Sequence, residues 1–207
     1  MDDSLFLDRS NDVNETKGLY LPHWHQNNKI QFITFRLADS FPQSFIFEFK
    51  QRLSNFIKRN PQPWDINIKS QYYSLKQSLE QYLDQGFGSC ILRSESIRKE
   101  VEATIHHNAD KKYELISYVI MPNHVHLLMR PYEDTELRHE LKQIKGISAY
   151  RINRLTNQKG PIWQKDYYDT IIRNKLHFYR VLEYIANNPK YLRPGEYSYF
   201  LSPHWIF

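Results

Sequence analysis

Two apolar, strand-forming segments follow one another at Tyr113–Met121 and His124–Arg130, with only Pro122 and Asn123 between them. Aromatic and β-branched residues favour strands, and a proline next to an asparagine favours a turn. Strands joined by so short a link pair as antiparallel neighbours, because a parallel pair needs a crossover of roughly a dozen residues or more. We therefore predict two adjacent antiparallel strands here, and the fold has to be built around them.

The remaining chain predicts further strands and several helices. Residues 29–38 alternate in the manner of a strand, and residues 169–173 suit a short strand. Apolar residues recur at helical spacing in 43–59, which Pro42 opens, in 67–85, in 94–105, in 136–155, and in 175–187, which ends before Pro189. An antiparallel sheet covered by helices follows from this order, which is the α+β class.

The domain organisation is expected to be simple. The 207 residues are enough for one domain with a sizeable core, and no repeat or Gly/Ser linker divides them. Residues 1–28 are polar and irregular, which indicates an N-terminal extension. We predict a single domain over 29–193, with 41–105 as a helical elaboration within it and 194–207 as a C-terminal tail.

The positive charge is concentrated in one part of the chain. The net charge is +5, yet residues 138–180 contain ten Lys or Arg and only three Asp or Glu, an excess of +7. This distribution favours a polyanionic partner such as nucleic acid. A solvated helix face would give the same count.

The cellular setting is also constrained. Cys90 is the only cysteine, which rules out an internal disulfide and favours a reducing compartment. The first residues lack the basic-then-apolar order of a signal peptide, and no apolar run approaches the roughly 18 residues of a membrane helix. We therefore expect a soluble, cytoplasmic protein with no membrane partner.

A pair of histidines, His124 and His126, stands one residue apart in the second strand. Side chains at i and i+2 of a strand point to the same face, so both imidazoles can converge on one metal ion if a third ligand arrives from elsewhere. No CxxC or HExxH motif supports a closed zinc site, and an open site suits Mg²⁺ or Mn²⁺. The alternative is a pair of half-exposed polar residues. Four further histidines are interpreted as surface residues: His23, His25, His106 and His107.

The last predicted helix carries a phenol and an amide that could complete such a site. Tyr184 and Asn188 are four residues apart and can share one helix face. An amide oxygen is a hard ligand of the kind that Mg²⁺ and Mn²⁺ accept. The alternatives are a packing tyrosine with its hydroxyl at the surface, and an asparagine selected for its place before Pro189.

Three segments in this order, YVIMPNHVHLLM, IWQKDYYDTIIR and LEYIANNP, resemble the REP-associated tyrosine transposase group of the single-tyrosine HUH transposase family. The resemblance covers about residues 20–40 and 113–193. It implies a ferredoxin-like HUH nuclease fold, Tyr184 as the nucleophile, and a divalent cation, Mg²⁺ or Mn²⁺, held by His124, His126 and Asn188. Thr170 departs from the family, where many relatives have histidine.

The resemblance further implies metal-dependent cleavage and transfer of single-stranded DNA through a 5′-phosphotyrosine intermediate, as in DNA transposition and recombination. The substrate would lie at or near a hairpin or palindromic repeat, and the enzyme would be a monomer or a homodimer. Predicted DNA-binding residues are Lys142, Lys145, Arg151, Arg154 and Arg173, with Trp163 and Tyr167 stacking on bases. A domesticated binding protein without catalysis and a nuclease that uses water are the alternatives.

Overall fold

A computed structural model describes residues 2–8, 10, 14–17, 22–26, 28–61, 63–83 and 85–205 of this chain. The strands are β1 (Asn14–Lys17), β2 (Pro22–His25), β3 (Gln31–Arg36), β4 (Tyr113–Ile120), β5 (His124–Pro131), β6 (Tyr168–Ile171) and β7 (Ser198–Leu201). The helices are α1 (Gln43–Arg59), α2 (Ile66–Leu83), α3 (Glu95–His107), α4 (Leu137–Thr156) and α5 (Lys175–Asn187). Within the described residues, no helix is both long enough and apolar enough to span a membrane.

The central sheet has five strands in the order β6-β3-β5-β4-β7, and every neighbouring pair is antiparallel. β4 and β5 form the predicted pair, closed by a hydrogen bond from the Met121 amide to the His124 carbonyl at 2.8 Å. The α+β class and the helix-covered antiparallel sheet are therefore confirmed. Within the predicted C-terminal tail, residues 198–201 form β7, which pairs with β4 as an edge strand of the sheet.

The two faces of the sheet bury different side chains. Val125, Leu127 and Met129 of β5 face a core formed with α3 and α4. Leu128 faces the opposite core, which contains Phe32 of β3 and the buried face of α5. The alternation of a strand thus separates two layers, and α5 contributes its buried face to the second of them.

The predicted helical elaboration includes a pair of helices with a small core of its own. α1 and α2 enclose Phe49, Leu53 and Tyr72, with further aromatic rings around them. The ring of Tyr82 in α2 stacks on Phe45 in α1 at 3.9 Å between centroids. These rings fix the two helices to one another.

His23, interpreted from the sequence as a surface residue, is buried between two carboxylates. Its Nδ1 lies 2.6 Å from Asp169 and its Nε2 lies 2.8 Å from Asp166. Burial opposes protonation of the imidazole, but these hydrogen bonds outweigh it and raise the pKa of His23 to about 9. The surface interpretation was wrong because the carboxylates come from a segment distant in sequence, and the contact ties β2 to β6.

We expect this contact to make stability depend on pH. A folded-state pKa of about 9, above the ordinary value of 6.5, gives stabilisation that is complete below pH 6.5 and declines until it is lost near pH 9. The decline should be on the order of 2 kcal/mol, allowing for partial screening by solvent. Urea unfolding of the protein and of His23→Gln between these pH values measures it. A wild-type slope equal to that of the variant would contradict the assignment.

Candidate metal and tyrosine site

His124 and His126 lie at the start of β5 with both imidazoles buried and their Nε2 atoms 3.1 Å apart. The prediction that the two rings share one face is confirmed. Burial lowers the pKa of His124 to about 3 and the pKa of His126 well below its ordinary value, so both rings are neutral. A proton or a cation has to lie between the two Nε2 atoms, because two lone pairs facing each other at this distance repel.

Each imidazole is oriented through its other nitrogen. His124 Nδ1 lies 2.7 Å from Asn123 Oδ1, and His126 Nδ1 lies 2.8 Å from Thr34 Oγ1. The Asn123 amide nitrogen donates to the Phe87 carbonyl at 3.0 Å, so the amide oxygen faces His124 and accepts its Nδ1 proton. This arrangement leaves the Nε2 lone pair of His124 directed at its neighbour.

Asn123 and Thr34 are site residues that the sequence motifs did not single out. Thr34 pairs with His126 in the β3–β5 register. The alternation within 29–38 already placed it on one face with Phe32, whose ring stacks on His126 at 5.4 Å. Asn123 directly precedes His124, but its amide orientation depends on a carbonyl 36 positions away in the chain. No local signal could have shown it.

α5 brings Tyr184 and Asn188 to the histidine pair. The Tyr184 hydroxyl lies 3.3 Å from His126 Nε2, and its ring packs edge-on against Phe32. Asn188 follows one turn later, with its amide nitrogen 3.5 Å from the same Nε2 and its amide oxygen buried without a hydrogen-bond partner in the described structure. The four side chains that the sequence assigned to the site therefore meet within one chain.

The donor atoms at this point fit a divalent cation. Among the described residues, no three His, Cys, Asp or Glu side chains are grouped to hold a metal ion, so a third protein ligand has to be of another type. The buried oxygen of Asn188 is a hard donor that lacks a hydrogen-bond partner. The 3.1 Å between the Nε2 atoms matches two ligands on one ion, which are about 3 Å apart when each lies about 2.1 Å away at a right angle.

The basic residues of α4 lie on the other side of the sheet from this site. α4 packs on the core that contains Val125, whereas His126 stacks on Phe32 in the opposite core. A DNA strand that contacts both α4 and the histidine pair therefore has to pass around an edge of the sheet. The sequence could not show this, because it does not specify which face of the sheet a helix covers.

The predicted DNA-binding cations differ in their surroundings. Lys142 and Arg154 are exposed on α4, and Arg151 lies 3.6 Å from a carboxylate of α3. Lys145 donates to a backbone carbonyl before β6 at 2.8 Å, and burial lowers its pKa to about 8. Arg173 is exposed directly after β6, near the start of α5. Their contacts with DNA are still predictions.

Of the two aromatic rings predicted to stack on bases, Trp163 belongs to the core. It is 6% exposed, donates from Nε1 to Ser148 Oγ at 2.9 Å, and packs edge-on against Phe35. The prediction of base stacking by Trp163 is therefore wrong, since neither face of a core ring is open to a base. Tyr167 is half-buried, and one face of its ring is covered by His23 at 4.1 Å.

Tyr168, the other tyrosine of the DYYDT segment, lies on the site side of the sheet. It pairs with Thr34 in the β3–β6 register and packs with the core beneath α5. Its hydroxyl accepts a hydrogen bond from Thr170 at 2.6 Å. At Thr170, where the family resemblance predicts a histidine, the structure therefore has a threonine hydroxyl bonded to the Tyr168 hydroxyl.

Comparisons with known proteins bear on the family. Residues 89–188 match the family described as "Transposase IS200 like", a segment that includes β4, β5, α4, β6 and α5. A comparison with curated proteins found no significant match. Among solved structures, the chain is similar to a REP-associated tyrosine transposase bound to a REP hairpin, with 15% identity, coverage of 86% of this chain and 73% of that chain, and a TM-score of 0.45. Over residues 89–188, the chain is therefore similar to the IS200-like transposase family.

Proposed function

We propose that this protein cleaves and rejoins single-stranded DNA through a covalent phosphotyrosine. The nucleophile is Tyr184, and a divalent cation, Mg²⁺ or Mn²⁺, is held by His124, His126 and Asn188. The observation that carries the proposal is the 3.3 Å between the Tyr184 hydroxyl and His126 Nε2. Because both groups belong to the same chain, one protomer contains the whole set.

The chemical step exchanges one phosphodiester for another. The Tyr184 oxygen bonds to the scissile phosphorus, and the bond from phosphorus to the 3′ oxygen of the preceding nucleotide breaks. The phenol proton passes to solvent, and the departing 3′ oxygen takes up a proton. Attack on the 5′-phosphotyrosine by the 3′ hydroxyl of a second strand then frees the tyrosine and joins the strands, with no need for ATP.

The side chains around the phenol position it for this step. Phe32 holds the Tyr184 ring edge-on at 5.9 Å, and α5 fixes the hydroxyl beside the imidazoles. Such positioning contributes because attacking and leaving oxygens have to be aligned at phosphorus. A bound cation supplies charge stabilisation for the phosphate oxygens. Because both imidazoles are neutral, neither has to lose an imidazolium proton before it can bind a cation.

The substrate we propose is single-stranded DNA beside a hairpin or palindromic repeat, as the family motifs imply. β6 is an edge strand of the sheet, and Arg173 is exposed at its end on the way to α5. We infer that the DNA backbone follows this edge between the site and the exposed cations of α4. Phosphate contacts of this kind weaken as salt concentration rises.

Denaturing electrophoresis of end-labelled single-stranded oligonucleotides that carry a hairpin, incubated with the protein and Mn²⁺, tests the proposal. We expect a labelled band that migrates with the protein after denaturation. Cleavage without such a band would indicate a nuclease that uses water. Binding without cleavage would indicate a domesticated DNA-binding protein. Either of these outcomes would overturn the phosphotyrosine proposal.

Asn188→Ala is expected to weaken Mn²⁺ binding by about 10-fold or more, because it removes an oxygen donor that has no hydrogen-bond partner of its own. Calorimetric titration of Mn²⁺ measures the loss directly. Asn187→Ala is the matched control, since that side chain is exposed and one position away. An Mn²⁺ affinity equal to that of the wild type in Asn188→Ala would remove this residue from the ligand set.

A further inference from the structure

The amide of Asn123 links the histidine pair to a part of the chain that carries no catalytic motif. Its oxygen accepts the Nδ1 proton of His124 at 2.7 Å, and its nitrogen donates to the Phe87 carbonyl at 3.0 Å. Asn123 is 1% exposed, so water does not compete for either hydrogen bond. The donor bond prevents the amide from rotating by half a turn, which would present its NH₂ group to His124.

We propose that Asn123 is a positioning residue that sets the tautomer of His124, and that the Phe87 carbonyl holds it in place. In this tautomer the proton is on Nδ1 and the lone pair of Nε2 faces His126. The opposite tautomer would put a proton on the nitrogen that has to bind the cation. The role of this tautomer in metal binding rests on the proposed function, whereas the tautomer itself can be measured in metal-free protein.

The position of the Phe87 carbonyl depends on the helices α1 and α2. The Phe87 ring stacks on Tyr82 of α2 at 4.6 Å, and Tyr82 stacks on Phe45 of α1. The following residue, Gly88, has a φ of +91°, and a Cβ there would lie 2.7 Å from the Asp39 carbonyl oxygen. The α1–α2 insertion, whose role the sequence did not reveal, thus holds the loop that orients Asn123.

Two variants of Asn123 separate the two hydrogen bonds. Asn123→Leu removes both the acceptor for His124 and the donor to Phe87, whereas Asn123→Asp keeps an acceptor for the Nδ1 proton. The ¹⁵N shifts of the His124 imidazole in metal-free protein report the tautomer, and Mn²⁺ titration reports the affinity. We expect Nδ1–H in the wild type and in Asn123→Asp. In Asn123→Leu we expect the Nε2–H form to become populated and Mn²⁺ binding to weaken by about 10- to 100-fold.

A third variant tests the contribution of the loop without altering the site. Gly88→Ala forces the loop away from Asp39, and it should weaken Mn²⁺ binding by up to about 10-fold. Gly195→Ala is the control: its φ is +92°, so the backbone strain is matched, but its Cβ would meet no atom within 4 Å. We expect Mn²⁺ binding to be unchanged in that control.

The outcomes distinguish this inference from the proposed function. An Nε2–H tautomer in the wild-type protein, or an unchanged tautomer in Asn123→Leu, overturns the role of Asn123 whatever the DNA assay shows. If Asn123→Leu does not fold, the ¹⁵N spectrum of the wild-type protein alone tests whether His124 has its proton on Nδ1. Gly88→Ala with wild-type affinity overturns the role of the loop. Failure to form a DNA adduct overturns the proposed function and leaves the tautomer measurement valid.

Discussion

Tyr184→Phe is expected to abolish the covalent protein–DNA adduct, lowering its rate of formation by at least about three orders of magnitude, as removal of a nucleophile does in other enzymes. The substitution deletes the hydroxyl that lies 3.3 Å from His126 Nε2 and keeps the ring that packs against Phe32. DNA binding, measured by fluorescence anisotropy with a labelled hairpin oligonucleotide, should therefore persist. Adduct formation is measured on denaturing gels in Mn²⁺.

Two matched substitutions make the result specific. Tyr179→Phe removes a hydroxyl from a 36% exposed tyrosine on the same helix, and it should form the adduct as the wild type does. Tyr168→Phe removes another tyrosine hydroxyl on the site side of the sheet, which accepts a hydrogen bond from Thr170. If the adduct persists in Tyr184→Phe and is lost in Tyr168→Phe, the nucleophile is Tyr168 of β6. Cleavage without an adduct in Tyr184→Phe would favour water as the nucleophile.

The strand alternation around the histidines could be predicted because it is a local property. His124 and His126 share a face while Val125 and Leu127 point into the other core, as a two-residue period requires. The family motifs predicted that Tyr184 would lie near the histidines, and its hydroxyl lies 3.3 Å from His126 Nε2. α1 begins and ends where the sequence indicated, since Pro42 and Asn60-Pro61 mark its limits locally.

What the sequence did not predict depends on contacts between distant segments. Trp163 is an aromatic residue of the kind that stacks on bases. In the structure its indole nitrogen donates a hydrogen bond to Ser148 in α4, and the ring belongs to the core. The strand β7 has only four residues, and it is a strand because β4 offers an open edge. The sequence around Trp163 does not predict its burial, and the sequence of β7 does not predict its pairing. Both depend on how distant segments pack together in the folded protein.

Arg98 is the clearest case of such a distant contact, and it is 2% exposed although arginine is rarely buried. Its guanidinium donates from α3 to the carbonyl oxygens of Leu92 and Arg93 at 2.9 and 2.6 Å. It also donates to the Gly195 carbonyl at 2.6 Å and to Ser198 Oγ at 2.9 Å. One side chain thus joins the start of α3 to the segment that carries β7.

Arg98→Leu is expected to lower the free energy of unfolding by about 3 kcal/mol, because the substitution leaves the buried Leu92 carbonyl and two partly buried carbonyl oxygens without these donors. The loss should be concentrated at β7, where hydrogen exchange of the Ser198–Leu201 amides should accelerate more than exchange in β4 or β5. Lys99→Leu is the control, since Lys99 is exposed and solvent screens its ion pair with Glu95, which therefore contributes little to stability. Equal urea midpoints for the two variants would show that the carbonyl oxygens find other donors, and that β7 is held to the sheet by its pairing with β4 alone.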